Sequence, residues 1–199
     1  GGTDLLGNFY SIATSPADSN LLYLGGFDTL HKSTDGGANW VDLNLSMSSL
    51  ALMGGQKVER LTVAQNGTDP AYLYFALTGG SPGGPTALYG YFNDGTANWL
   101  DLSAASGLPT NEPALAVAAQ PNAPDKLLVS MASGGVYVSE DATQGNTATF
   151  AAYNADSSVS PPVPTAAQIR FHALHLLSDG SGGFDVLGGS HGRGVYRSP

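Results

Sequence analysis

Two of the chain's sixteen acidic residues stand apart from turn sequences: Asp28, in Phe27-Asp28-Thr29, and Glu59, just ahead of an apolar run. Hydrolysis of a glycosidic bond needs two carboxyl groups facing each other across about 5–10 Å. Asp28 and Glu59 are the pair this sequence offers, and the ordinary role of a solvated loop acid competes with that chemistry at both. A second candidate is Ser190-His191-Gly192-Arg193. It is flanked by glycine, and an arginine fork can grip a carboxylate through two parallel hydrogen bonds. The competing reading there is a plain hairpin turn. With the ring of Phe27 beside Asp28, the candidate ligand-binding set is Phe27, Asp28, Glu59, His191 and Arg193. No residue is assigned a catalytic role.

Other patterns carry less. His172 and His175 form H-x-x-H, but on a strand those positions have opposite parity and do not share a face. No H-E-x-x-H is present, and no nucleophile triad is legible around His191. Asp179-Gly180-Ser181-Gly182-Gly183-Phe184-Asp185 lacks the alternating oxygen donors of a calcium loop. The glycine-rich stretch from Gly79 to Pro85 is not followed by Gly-Lys-Ser/Thr, so it reads as a long hairpin loop and not a phosphate cradle. The chain has no cysteine, which removes disulfides and thiolate metal sites. No metal and no cofactor is expected. Asn44-Leu45-Ser46 and Asn66-Gly67-Thr68 are glycosylation sequons that matter only in a eukaryotic secretory host.

Charge narrows the partners. The formal net charge is −9 with seven Lys and Arg. Nucleic acid requires a basic face that displaces counterions, and anionic lipid surfaces require the same, so neither is expected. No apolar run reaches the roughly 18 residues of a membrane-spanning helix, and no signal peptide is legible.

The elements that must position these side chains are short strands in a repeat. Gly is 27 and Pro 12 of 199 residues, a composition that favours frequent turns. Ser33-Thr34-Asp35-Gly36-Gly37-Ala38-Asn39-Trp40, followed by Val41-Asp42-Leu43, recurs in register 59 residues later. The second copy is Phe92-Asn93-Asp94-Gly95-Thr96-Ala97-Asn98-Trp99, followed by Leu100-Asp101-Leu102. A third begins at Ser139-Glu140-Asp141, its turn lengthened and Phe150 near the place of the Trp. Gly135-Val136-Tyr137-Val138-Ser139 returns as Gly194-Val195-Tyr196-Arg197-Ser198, opening a fourth unit that stops at Pro199. Upstream of each copy lies an apolar strand (9–13, 60–64, 114–118, 169–174), a polar turn (15–18, 66–70, 121–125, 178–180) and a second strand (21–25, 72–77, 126–131, 184–187). Four short strands per roughly 50 residues describe a propeller blade. The one candidate for a helical turn is 46–53.

Ser33-x-Asp35-Gly36-Gly37-x-x-Trp40 resembles the Asp box, or BNR repeat, of secreted sialidases, sortilin-type receptors and xyloglucanase-like glycoside hydrolases. The copy at Asp94 departs from it, with Phe92 for Ser and Thr96 for the second Gly. The copy at Asp141 keeps Ser139 and Asp141 only. The segment from Gly189 to Tyr196 is also similar to a stretch common in bacterial Asp-box propellers. The box is structural in its physics. A short carboxylate accepts from backbone N–H groups that the turn leaves unpaired, glycine permits positive φ, and the Trp covers apolar surface. Ser33, Asp35, Gly36, Gly37, Trp40, Asp94, Gly95, Trp99, Ser139 and Asp141 are therefore read as scaffold. The resemblance implies a box on the face opposite the ligand site, and an extracellular, cell-surface or periplasmic location. It also implies that a sialidase would need three Arg on one carboxylate. Only Arg60, Arg170, Arg193 and Arg197 exist, and the Arg-Ile-Pro motif is missing.

The expected fold is all-β: a propeller of about four blades of four short antiparallel strands, at 8–45, 57–103, 113–154 and 168–199. Residues 3–7 resemble the strand after a box, so the N-terminal strand is a candidate to close the last blade. Two arrangements stay open: a compact four-blade ring, or one stretch of a larger propeller completed by more chain or another subunit. Ligand loops on one face would be 26–30, 78–87, 132–134 and 190–193, joined by 44–56, 103–113 and 154–167. With both Trp used in the boxes, those loops lack the aromatic platforms of a deep sugar site. The expected role is a non-catalytic binding or assembly module for a protein or glycan. The alternative is part of a glycoside hydrolase whose cleft is shared with blades outside this chain.

Overall fold

The computed structural model describes residues 7–44, 55–79, 87–93, 97–110, 112–153, 170–178, 184–190 and 194–198. It is a β-propeller of four antiparallel sheets. Blade 1 holds β1 (Phe9–Thr14), β2 (Leu22–Gly26), β3 (Leu30–Ser33) and β4 (Val41–Asp42). Blade 2 holds β5 (Gln56–Ala64), β6 (Tyr72–Gly79), β7 (Leu88–Asn93) and β8 (Ala97–Asp101). Blade 3 holds β9 (Ala114–Gln120), β10 (Ala123–Met131), β11 (Val136–Ser139) and β12 (Ala151–Ala152). Blade 4 holds β13 (Phe171–Ser178), β14 (Phe184–Ser190) and β15 (Gly194–Ser198). Each sheet pairs its strands in chain order. Of residues 3–7, the candidate to close the last blade, 3–6 lie outside the described residues, as do 46–53 and all of 154–169.

Three apolar cores sit between successive blades. Tyr23, Leu30, Val58, Val63, Leu73 and Phe75 fill the first. Tyr74, Leu88, Leu102, Leu127, Val129 and Met131 belong to the second. Leu128, Val136, Phe171, Leu176 and Val186 belong to the third. The alternation of side chains across a strand explains the sequence pattern. Blades 2 and 3 are covered on both faces, so their central strands read as unbroken apolar runs. Leu127 and Val129 face blade 2 while Leu128 faces blade 4. Among the described residues the inner strand of blade 1 packs on another blade at one side, against β5, and β1 alternates half-buried with exposed residues along its whole length. Among the described residues, extensive strand packing runs only between successive blades, with β1 against β5, β5 against β9, and β9 against β13.

Two local features differ from the sequence reading. The turn assigned to 121–125 is shorter: Ala123 already pairs with Gln120, so β10 begins three residues early. Pro124 is accommodated because the ladder is irregular between Ala123 and Leu127, and its carbonyl accepts the Tyr74 hydroxyl at 2.7 Å. Burial raises the pKa of that phenol, as it does that of Tyr23. The lengthened turn after Asp141 is a short 3-10 segment, Ala142–Thr147, with Gly145 at φ 61° breaking it.

Candidate functional site

The four inner strands share a feature that the sequence did not disclose. Phe9 pairs with Gly26 and Ser11 with Gly25, leaving Tyr10 as an extra residue. Glu59 is extra between Val58 and Arg60, Leu115 between Ala114 and Ala116, and His172 between Phe171 and Ala173. A β-bulge thus recurs at the same register position of all four blades. Bulges of this kind are designed features that re-aim side chains at rims and sites. The signal in the sequence is a slip in alternation. Val58 is buried in the first core and Leu61 packs against it, a spacing of three with two polar residues between. In the blade 3 stretch around Leu115, small apolar residues hide the same slip.

Side chains next to the bulges tie each inner strand to its neighbour. The Ser11 hydroxyl donates to the Val58 carbonyl at 2.6 Å. Arg60 Nε donates to the Leu115 carbonyl at 2.5 Å. The Phe171 N–H donates to Ser130 Oγ at 3.2 Å. Arg60 is therefore a backbone clamp between blades 2 and 3 as well as a surface cation.

At this end of the first two blades the sequence candidates converge in part. The loop after β2 is held between two incoming inner strands. The Phe27 N–H donates to Asn8 O at 3.3 Å, Phe27 forms a bridge with Lys57, and the Asp28 N–H donates to Gln56 O at 2.8 Å. Asp28 takes φ 53°, a left-handed conformation that Asp tolerates better than most residues. Both of its carboxylate oxygens are engaged. Oδ2 accepts from Gly55 N–H and Oδ1 from Gln56 N–H, each at 2.8 Å. Asp28 is thus a lock on the strand that enters blade 2. Glu112 has the same kind of task in blade 3, where its carboxylate accepts the Ser133 N–H.

Beside this lock lies a mixed patch. Tyr10 and Phe27 are 40% and 48% exposed. Lys57 Nζ stands 5.1 Å above the centre of the Tyr10 ring, a cation–π arrangement. Glu59 sits between two cations, 3.9 Å from Lys57 Nζ and 3.8 Å from Arg60 Nη1. Both separations are long, so these pairs contribute little to stability. The patch provides two aromatic faces, two cations and one carboxylate at the end of the inner strands where β1 and β5 begin. Among the described residues Glu59 is the carboxylate of this patch, and each oxygen of Asp28 already accepts a backbone N–H from the strand entering blade 2. His191 and Arg193 lie outside the described residues. Among the described residues no group of three His, Asp or Glu is placed to hold a metal ion.

The repeated turns lie at the other end of the strands. Ser33 Oγ donates to Asp35 Oδ1 at 2.8 Å and accepts the Gly37 N–H at 2.9 Å. Asp35 Oδ1 accepts the Asn39 N–H at 2.8 Å, and Oδ2 accepts Asn39 Nδ2 at 2.7 Å. Gly36 and Gly37 take φ 69° and 91°, values that a Cβ would strain. Trp40 Nε1 donates to Gly37 O at 3.0 Å. In blade 3 the same set is rebuilt across a longer loop. Ser139 Oγ donates to Asp141 Oδ1, and the Thr149 N–H and hydroxyl replace the two Asn39 donors. Phe150 is buried in the second core. The Asn39 donors, N–H first, hold the Asp35 carboxyl below its ordinary range, and the Thr149 N–H chiefly does so for Asp141. In blade 2, Trp99 packs on Tyr91 at 4.9 Å between ring centres. Asp94 and Gly95 lie outside the described residues.

No family model matches the sequence, and no curated protein sequence matches it. Solved structures do resemble the fold. A GH74 xyloglucanase from Xanthomonas campestris superposes with a TM-score of 0.57 at 19% identity, over 96% of this chain and 28% of that one. An ancestral GH74 enzyme gives 0.56 at 15% identity, over 96% and 32%. The β-propeller domain of Myceliophteria thermophila Cps50 (Swd1) gives 0.55 at 12% identity, over 94% and 50%. The chain thus spans about a third of the GH74 structures and half of the Swd1 domain. At these identities the likeness is one of fold.

Proposed function

We propose that this chain is an Asp-box propeller module, extracellular, that binds a protein or glycan without turning it over. The inner-rim patch of Tyr10, Phe27, Lys57, Glu59 and Arg60 is the binding surface. The observation that carries this reading is the commitment of Asp28. Both its oxygens accept backbone N–H groups, which favours a positioning role over a second reacting carboxyl beside Glu59, and hydrolysis of a glycoside by paired carboxyls needs two. Two exposed rings beside two cations suit a sugar ring, which stacks on an aromatic face, or an acidic side chain, which pairs with the cations. The Asp35 and Asp141 turns, on the far end of the blades, are scaffold in this reading.

The test is a glycan array followed by calorimetry on the best acidic or neutral oligosaccharide, with Tyr10→Ala/Phe27→Ala as the binding-deficient variant. The expected result is binding lost in the variant with unchanged thermal stability. Hydrolysis of xyloglucan or an aryl glycoside by the purified chain, abolished by Glu59→Gln, would overturn the non-catalytic reading.

A further inference from the structure

Lys57, Glu59 and Arg60 form a charge triplet that the blade 2 bulge creates. Val58 and Leu61 both pack in the first core, so the extra residue between Val58 and Arg60 turns Glu59 and Arg60 to the same side, away from that core. A regular strand would put these two neighbours on opposite sides. The arginine is fixed in place. Its Nε donates to Leu115 O at 2.5 Å and its Nη1 to Glu59 O at 3.0 Å, while Nη2 has no hydrogen-bond partner among the described residues. The lysine is steadied by the Tyr10 ring beneath its ammonium. Both cations therefore lose little freedom when an anion arrives, which is the advantage of preorganisation. Neither is satisfied by its own carboxylate. Glu59 stands 3.9 Å from one and 3.8 Å from the other, well beyond the roughly 2.7–2.9 Å of a charge-assisted hydrogen bond.

These cations are exceptions in this chain. Of the other described Lys and Arg residues, Lys126 pairs with Glu140 at 3.1 Å, Arg197 pairs with Asp185, and Lys32 is half-buried. The remaining one is Arg170, which is exposed. It stands two residues before the bulge at His172, as Lys57 stands two before the bulge at Glu59. The repeat thus puts an arginine at the lysine's register position two blades on. Among the described residues, a chain of net charge −9 keeps its loosely paired cations at one end of its inner strands.

We propose that Lys57 and Arg60 form a carboxylate-binding site for an acidic peptide, and that Glu59 occupies it as an internal competitor until the ligand displaces it. The proposal rests on the rim patch being the binding surface, and it narrows what that surface takes. A peptide suits the patch better than a sugar. One face of Tyr10 is already taken by the Lys57 ammonium, so stacking on a sugar ring falls mainly to Phe27. An acidic side chain needs no bare ring. Its two oxygens take the place of those of Glu59, one toward each cation, and a neighbouring apolar residue of the peptide covers Phe27, which is 48% exposed.

The experiment is fluorescence anisotropy on the 199-residue chain with labelled Glu-Leu-Glu-Phe-Glu, compared with Gln-Leu-Gln-Phe-Gln and with an oligogalacturonate. Wild type is expected to bind the Glu peptide and not the Gln peptide. Glu59→Gln is expected to tighten that binding about three- to tenfold, and Lys57→Gln to weaken it by a similar factor. Both variants are expected to melt as wild type does, because the long pairs contribute little to stability. A Glu59 that contacts the ligand, or that serves only the scaffold, would instead give weaker or unchanged binding in Glu59→Gln, and either result overturns the proposal. So does equal binding of the Gln peptide, or no binding of the Glu peptide by Glu59→Gln. Oligogalacturonate bound in place of the peptide would overturn the peptide assignment in favour of an acidic glycan. A neutral oligosaccharide held through Tyr10 and Phe27, and indifferent to Glu59→Gln, would sink this proposal while leaving the binding-module reading in place.

Discussion

Adjacent glycines on β14 should respond in opposite directions to the same methyl group. Gly188 faces blade 3 and Gly189 faces away from it. A Cβ on Gly188 would stand 2.6 Å from Phe171 Cε1 and closer still to Cδ1, whereas one on Gly189 would meet only the Ala173 Cβ at 3.7 Å. Ordinary contact begins at 3.4 Å, so Gly188→Ala demands a shift approaching an ångström. The Phe171 ring cannot yield it cheaply, because it is 6% exposed and set edge-on to Tyr196 at 5.7 Å. Overpacking of this size costs up to about 3 kcal/mol. Both substitutions gain roughly 0.5–1 kcal/mol from the stiffer unfolded chain. The net expectation is a loss of about 2 kcal/mol for Gly188→Ala and a gain of up to about 1 kcal/mol for Gly189→Ala. For a chain of this length that is a melting temperature about 4–8 °C lower for the first and up to about 4 °C higher for the second. The entropy gain cancels between the two, so their difference isolates the packing effect. Thermal and urea denaturation followed by circular dichroism would measure it. Equal stabilities within about 0.5 kcal/mol would refute the assignment of faces on blade 4, and with it the inter-blade packing drawn from Phe171.

Acid should weaken the scaffold through the repeated turns. Asp35 and Asp141 have folded pKa values below the ordinary 3.8, so ionisation stabilises the fold above that value, and the contribution disappears as pH falls through the folded pKa. Melting temperature should therefore drop on acidification from about pH 5, and Asp35→Asn/Asp141→Asn should flatten the curve; an unchanged slope would contradict the hydrogen-bond assignment. Asp28→Ala should cost about 1–3 kcal/mol, because the Gly55 and Gln56 N–H groups lose a charged acceptor and alanine tolerates the positive φ poorly. Chemical denaturation gives that figure directly, and wild-type stability would show that Asp28 does not lock the strand into blade 2.

The blade repeat was legible because its turns demand particular residues. Asp, Gly and Trp at fixed offsets answer to unpaired N–H groups, positive φ and an apolar gap, so Ser33 to Trp40 could be read with its physics. The Asp141 turn was legible in outline, but the substitution of Thr149 for Asn39 was not, since the donors are eight residues from the acid and not four. The inner-rim bulges were invisible as a class. A bulge is set by pairing with a partner strand, and Tyr10, Glu59, Leu115 and His172 have no chemistry in common. Asp28 stands out in the sequence as an acid away from the repeated turns, but its backbone duty is not legible there, because its partners at Gly55 and Gln56 come from the following unit. Long-range acceptors of this kind leave no local spacing to recognise.

The confinement of packing to successive blades has a consequence for how damage spreads. Such a stack behaves as a one-dimensional lattice, in which each unit is stabilised by its own folding and by the boundaries it shares. Melting an end unit breaks one boundary, and melting a middle unit breaks two. A lesion of given size therefore weighs unequally on the three boundaries described: in the blade of Ile12 it touches one of them, while in the blades of Phe75 or Leu128 it touches two.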